Sequence, residues 1–212
     1  MRFSQPLDQI LGNASKVRIL RFLCRKGGEW SGRRIAAELG LNPVTAHAAL
    51  RALHLATVLE FRKVGNSFVY SLRDDHYLVR QVLRPLFEQE AQTLEHLRQR
   101  LTEQFIAKVR GDIVTVALYG SVARGQERPT SDLDLVVLVV SERAKAPVRA
   151  ALDRAWESVV KEFGNPLAAY VSTVSEARQK YRRGLPLWQN ILAHHQPVWG
   201  QSLKEALGDG TA

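Results

Sequence analysis

The residues best suited to chemistry lie in one stretch, LYGSVARGQERPTSDLDL, residues 118 to 135. Gly120-Ser121 ends a β-branched apolar run, Ile113 to Tyr119, and turns the chain, leaving backbone N–H groups free to face an anion. Asp132 and Asp134 stand two apart at the start of a second apolar run, Leu133 to Val140. Residues two apart on a strand share a face, so both carboxylates point one way while Leu133 and Leu135 point into a core. Two carboxylates on one edge suit a divalent cation that takes oxygen ligands. Together, the turn and the aspartate pair could hold a metal-bound triphosphate.

The elements that must position these groups are two strands and the short helical turn between them. Gly120-Ser121, ten residues, then Asp132-Leu133-Asp134, with Ala123-Arg124-Gly125 and Ser131 in between, resembles the DNA polymerase β-like nucleotidyltransferase superfamily and its small "minimal" bacterial members. The resemblance implies a mixed sheet with helices behind it. It also implies Gly120, Ser121, Arg124 and Ser131 on the nucleotide, and Asp132 and Asp134 as catalytic carboxylates holding Mg2+.

That family normally adds a third carboxylate on a later strand, where it completes the metal site and helps deprotonate the attacking hydroxyl. The next strand-like run here, Leu167 to Thr173 after Gly164-Asn165-Pro166, carries no acid. Glu162 and Glu176 flank it, and Tyr170 lies inside it. A missing general base costs about 10² to 10⁴ in rate, so nucleotide binding can outlast chemistry. A neighbouring acid such as Glu162 swinging in, or Tyr170 taking a proton role, are the ways this sequence could compensate.

The first third of the chain is basic and helix-patterned. Through Arg73 it holds twelve Lys or Arg against four acids, a balance of +8 out of the whole chain's +9, which suits nucleic acid or another acidic surface. Ser15 is expected to cap a helix running to Lys26, Ser31 a second helix over Gly32 to Leu39 that Gly40 stops, and Asn42-Pro43 to open a third through about Ala56. Two strands, Val58 to Val64 and Phe68 to Leu72, flank Gly65-Asn66-Ser67.

This order, carried by IAAELGLNPVTAHAALRAL, resembles the winged helix-turn-helix of bacterial regulators of the arsenic-repressor and multiple-antibiotic-resistance type. The resemblance implies Val44, Thr45, His47, Ala48 and Arg51 facing duplex DNA and Arg62, Lys63, Asn66 and Ser67 forming a wing on the phosphates. Ala46, Leu50 and Leu53 would pack inward. His47 and His54 lack the carboxylate or cysteine company that a metal site needs, and exposed helix positions account for them.

Residues 76 to 110 read as a long linker helix broken or kinked at Pro85, with Leu83, Phe87, Leu94, Leu97, Leu101 and Phe105 near heptad spacing. That stripe either covers a domain core or pairs with a second copy as a homodimer. The tail carries helical patterns at 147 to 163 and 175 to 195, and Trp156, Trp188 and Trp199 are expected in its core. The expected architecture is α+β: a winged helix domain over 1–75, the linker over 76–110 and a nucleotidyltransferase-like domain over 111–212.

With 45% apolar residues the chain can build two small cores. Its single cysteine, Cys24, excludes an internal disulfide framework. Met1 to Asp8 lack a signal-peptide core and no apolar run approaches a membrane span, so a soluble cytoplasmic protein is expected. Three functions fit these residues. The first is a DNA-binding transcription regulator whose second domain binds NTP with Mg2+ but turns over weakly. The second is an active enzyme moving NMP to a hydroxyl on a protein, RNA or small molecule. The third, which rests on resemblance alone, is an antitoxin-like partner of an RNase toxin.

Overall fold

The computed structural model describes residues 3–65 and 67–208. They form an α+β protein of two compact units, Met1–Thr93 and Leu94–Ala212. The division falls inside the span expected as a single linker helix.

The first unit opens with α1 (Pro6–Ile10) and α2 (Ala14–Lys26). Asn13, not Ser15, caps α2: its extended backbone (φ −156°) lets its side chain accept from the Lys16 amide at 2.9 Å, and Ser15 falls inside the helix. Ser31 caps α3 (Gly32–Glu38) as expected, and Gly40 takes the left-handed φ of +56° that ends it. Asn42 caps α4 (Pro43–Leu55) by accepting from the Val44 amide at 2.9 Å, with Pro43 at the first helical position, where no N–H is needed.

Strands β2 (Leu59–Val64) and β3 (Ser67–Leu72) pair antiparallel, and β1 (Trp30–Ser31) adds a two-residue strand to β3 that is too short to show alternation in sequence. Ile19, Leu20, Leu23, Ile35, Leu50 and Leu53 are wholly or almost wholly buried between helices and sheet. Three helices followed by a hairpin packed on them is the winged helix-turn-helix arrangement.

The expected linker helix is several pieces. A π-helical turn, Val79–Leu83, leads without a break into α5 (Arg84–Ala91). Pro85 does not break the helix, and the π-helical turn, a local widening of the ladder, stands directly before it. The interruption comes at Gln92, before α6 (Thr93–Gln104). The apolar stripe divides with it: Leu83 and Phe87 belong to the first core, and Leu97, Leu101 and Phe105 to the second. The stripe is therefore divided between two intrachain cores.

The second unit is built on a four-stranded mixed sheet in the order β6-β5-β4-β7. Its strands are β4 (Ile113–Tyr119), β5 (Leu133–Val139), β6 (Leu167–Thr173) and β7 (Gln196–Gly200). β4 runs antiparallel to β5 and β7, while β6 lies parallel to β5. The parallel crossover is α8 (Lys145–Phe163), ended by Gly164 at φ +77°. The single helix expected over 175 to 195 is two, α9 (Val174–Arg182) and α10 (Pro186–Ala193), because Gly184 (φ +69°) and Pro186 part them; α11 (Leu203–Leu207) follows β7.

One sheet face buries Leu135, Val137 and Val139 with α6 and α8, and the other buries Val136 and Leu138 with Trp188 and Ile191 of α10. Trp188 and Trp199 pack as expected, whereas Trp156 is exposed on α8. No helix among the described residues is long and apolar enough to cross a membrane.

Candidate nucleotide site and winged helix surface

Asp134 is the hinge of the site. It pairs in register with Tyr119 on β4 and with Ala168 on β6, so the carboxylate rises from the middle of three adjacent strands. Gly120 follows Tyr119 with φ +74° and opens the one-turn helix α7 (Gly120–Ala123). A Cβ on Gly120 would overlap Oδ2 of Asp134 and come within 2.9 Å of its Cγ, so only glycine lets the turn and the carboxylate share this space.

Burial pushes the Asp134 carboxyl above its ordinary pKa, the neighbouring charge of Asp132 pushes it further, and Arg124 partly offsets both. A half-buried carboxylate next to a second, exposed one is an anionic pair that a cation would relieve. The donor set, two carboxylates on one edge, fits a divalent ion with oxygen ligands, and Asp132 and Asp134 are the residues that would hold it. No cluster of three His, Cys, Asp or Glu suited to a metal occurs among the described residues, so the pair is a partial cradle.

The other residues expected at the nucleotide fall around this pair. Ser121 is half-buried in α7, and its carbonyl accepts from Gln126 N at 3.0 Å. Arg124 is exposed, its Nε donating to Gln126 Oε1 at 3.3 Å. Ser131 has a structural duty: its hydroxyl accepts from Arg128 N at 2.9 Å and so closes the turn before the aspartates.

Three further residues shape the site. Asn165 Nδ2 donates to the carbonyls of Pro129 (3.2 Å) and Ser131 (2.8 Å), pinning the loop that delivers Asp132. Gln196, paired with Leu118 through β7, donates to Ala123 O at 3.0 Å and so anchors the far end of α7. Tyr119, opposite Asp134, has its hydroxyl pKa raised first by burial, then by Asp134 and Tyr170. Two of the three carry a weak sequence signal: Asn165 sits in an evident loop and Gln196 precedes a proline.

The parallel register also decides which face of β6 looks toward Asp134: Ala168, Tyr170 and Ser172 share it, and Ala169 and Val171 take the other. No acid stands on that face. Glu162 is held on α8 by His96 Nε2 (2.7 Å) and Arg100 Nε (2.9 Å), which draw its pKa down. Glu176 is bound by Lys145 Nζ (2.8 Å), the Thr173 amide (3.0 Å) and the Ser172 hydroxyl (3.0 Å), and its pKa falls to about 2. It forms a capping box with Thr173 at the start of α9. Tyr170 accepts a hydrogen bond from Lys180 Nζ at 2.7 Å and lies edge-on to Trp188. Neither route for replacing the missing carboxylate through a flanking glutamate is open while these bonds hold.

The profile of the family described as "Nucleotidyltransferase domain" matches residues 95–187, which span both strands, the turn and the aspartate pair. The second unit is a nucleotidyltransferase domain. Among curated relatives, the "Bifunctional uridylyltransferase/uridylyl-removing enzyme" of Pseudomonas savastanoi pv. phaseolicola is 25% identical over 164 residues, covering 76% of this chain and 18% of the relative. The protein of the same description from Pseudomonas putida strain F1 is 24% identical over 167 residues, 79% of this chain and 18% of its own. The chain thus spans under a fifth of the length of these relatives.

Among solved structures, the homodimeric winged helix-turn-helix DNA-binding domain of a possible ArsR-family transcriptional regulator from Mycobacterium bovis is 27% identical (TM-score 0.34). It covers 44% of this chain and 81% of that one. A toxin-antitoxin structure with AMP-PNP is 13% identical (TM-score 0.33), covering 55% and 82%. The residues matched by the nucleotidyltransferase profile follow a first unit of helices and a three-stranded hairpin sheet.

On that first unit, Val44 is 78% exposed and Thr45, His47, Ala48 and Arg51 are exposed with it, while Ala46, Leu50 and Leu53 are buried. The wing is less uniformly basic than its sequence. Arg62 is paired with Glu29 through Nε (2.7 Å) and Nη2, whereas Lys63 makes no ion pair with any described residue. Ser67 is half-buried, and Asn66 lies outside the described residues.

Proposed function

We propose that this protein is a DNA-binding regulator whose nucleotidyltransferase domain binds NTP with Mg2+ and catalyses transfer weakly or not at all. The observation that carries this reading is the face of β6 beside Asp134, which presents Ala168, Tyr170 and Ser172 where a third carboxylate would stand. The two acids that could substitute are tied into ion pairs elsewhere.

Asp132 and Asp134 would hold Mg2+, which would supply positive charge against the phosphates. The chain's own part is then to hold the cation with Asp132 and Asp134, to receive phosphate at the Gly120-Ser121 turn and to place Arg124 beside them. The winged helix would deliver this sensor to duplex DNA through the exposed N-terminal residues of α4.

A second reading, an active NMP transferase, is favoured by the intact fit of Gly120 to Asp134 and by the uridylyltransferase relatives. Titration calorimetry with a nonhydrolysable NTP separates binding from turnover. Wild type should bind only with Mg2+, and Asp132→Asn with Asp134→Asn should abolish that metal-dependent heat while leaving the melting temperature unchanged or raised. Absence of metal-dependent binding in the wild type would remove both readings of the domain.

A further inference from the structure

The face of the wing that looks onto α4 is aromatic. Phe61 and Phe68 are 45% and 51% exposed, and they meet edge-on at 5.6 Å rather than face to face, so ring surface remains uncovered. His54 of α4 packs its ring perpendicular to Phe61 at 4.5 Å. Between α4 and the hairpin runs a groove of two adjoining cavities, about 510 and 440 Å3, that share His47, Phe68 and Tyr70.

The charge around this groove is one-sided. Arg33 and Arg51 line it, and Lys63 stands on the strand face of Phe61, opposite Phe68. No side chain of the three makes a hydrogen bond or ion pair with a described residue, whereas Arg21, Arg62, Arg73 and Arg84 of the same unit are all paired with acids. No carboxylate lines either cavity, and the nearby Glu29 and Glu60 are taken by Arg62 and Arg73.

Uncovered rings beside unpaired cations are the chemistry that binds single strands: bases stack on aromatic faces, and phosphates meet Arg and Lys. Fully paired DNA keeps its bases stacked and offers nothing to such rings. We propose that the groove between α4 and the wing takes unpaired nucleotides, one base stacking on Phe61 or Phe68 while Arg33, Arg51 and Lys63 meet the flanking phosphates. This rests on the first unit being a nucleic-acid-binding domain, and it narrows the preferred target to strands that carry unpaired bases. DNA and RNA share this chemistry.

The test uses the full chain with fluorescent oligonucleotides at fixed salt: a paired duplex, the same duplex with one bulged 2-aminopurine, and single strands of DNA and RNA. Anisotropy should show the bulged duplex or a single strand binding about tenfold tighter than the paired duplex, and 2-aminopurine emission should be quenched on binding. Phe61→Leu with Phe68→Leu keeps the apolar bulk and removes the rings. It should lose the preference and the quenching while changing paired-duplex affinity less than about twofold.

If the leucine variant keeps both, a partner other than a base, such as an apolar segment of protein, belongs in the groove and the proposal is wrong. Paired-duplex binding without any preference for unpaired sites leaves the duplex-regulator reading standing and overturns this one. Preference without duplex binding does the reverse.

Discussion

Gly120 and Asp134 occupy one another's space: the carboxylate lies where any side chain on residue 120 would begin. Gly120→Ala therefore meets two costs, the left-handed φ of +74° and the overlap. The first is about 1 to 2 kcal/mol for a residue with a Cβ. Urea unfolding should show a larger loss than that in the single variant. In Gly120→Ala with Asp134→Ala the overlap disappears, so the double variant should be destabilised by less than the sum of the two singles. Additive losses would mean that the turn moves aside and that the fit does not constrain the site.

The raised pKa of Asp134 has a consequence for stability. A carboxyl whose folded pKa lies above its unfolded value favours the protonated folded state. Its contribution to stability is therefore lost as pH rises from the unfolded value, about 3.9, through the folded one. Thermal melts of wild type against Asp134→Asn should show the wild type losing ground over that window. Mg2+ with nucleotide should restore it, because a cation favours the ionised pair, and the protection should grow with pH. Protection that is flat with pH would place the ion elsewhere.

The wing residues, equivalent in sequence, differ in the fold. Arg62 is committed to Glu29, while Lys63 has no described partner. Each phosphate contact contributes about 0.9 to the slope of log affinity against log salt on duplex DNA. Lys63→Ala should flatten that slope by about 1, and Arg62→Ala by clearly less. Equal effects would mean that the Glu29 pair opens on DNA.

These contrasts mark what a linear reading can reach. Strands β4 and β5 were legible because their apolar runs are rich in β-branched residues, β6 because Gly164-Asn165-Pro166 sets off a short acid-free run, and the caps at Ser31 and Asn42 because side chain and position agree. Asn13 and Ser15 are both good caps two residues apart, and only the extended backbone at Asn13 chooses between them. The heptad-like stripe from Leu83 to Phe105 looked continuous because spacing carries no information on which core each residue enters. At the site, Gly120, Ser121, Asp132 and Asp134 stood out by type. The ion pairs that occupy Arg62, Glu162 and Glu176 span 33 residues (Arg62–Glu29), 66 (His96–Glu162) and 31 (Lys145–Glu176), and no local pattern announces them.

The register of β6 gives the sharpest discrimination between a sensor and an enzyme. Ala168 is the residue beside Asp134, and Ala169, beside Leu135, points to the opposite face. Ala168→Asp should strengthen Mg2+ binding and raise NMP transfer or NTP turnover, because a positioned base and extra ligand act on the attacking oxygen; a general base contributes about 10² to 10⁴ in rate. Ala169→Asp is the control and should change neither. Wild type that is inert beside an active Ala168→Asp variant would mean that the domain keeps its fold for binding. Should the wild type already transfer NMP at about 1 per second, ordinary for an enzyme, the sensor reading fails. Another residue then supplies the base, with the Tyr170 hydroxyl, held by Lys180, the first to replace by phenylalanine.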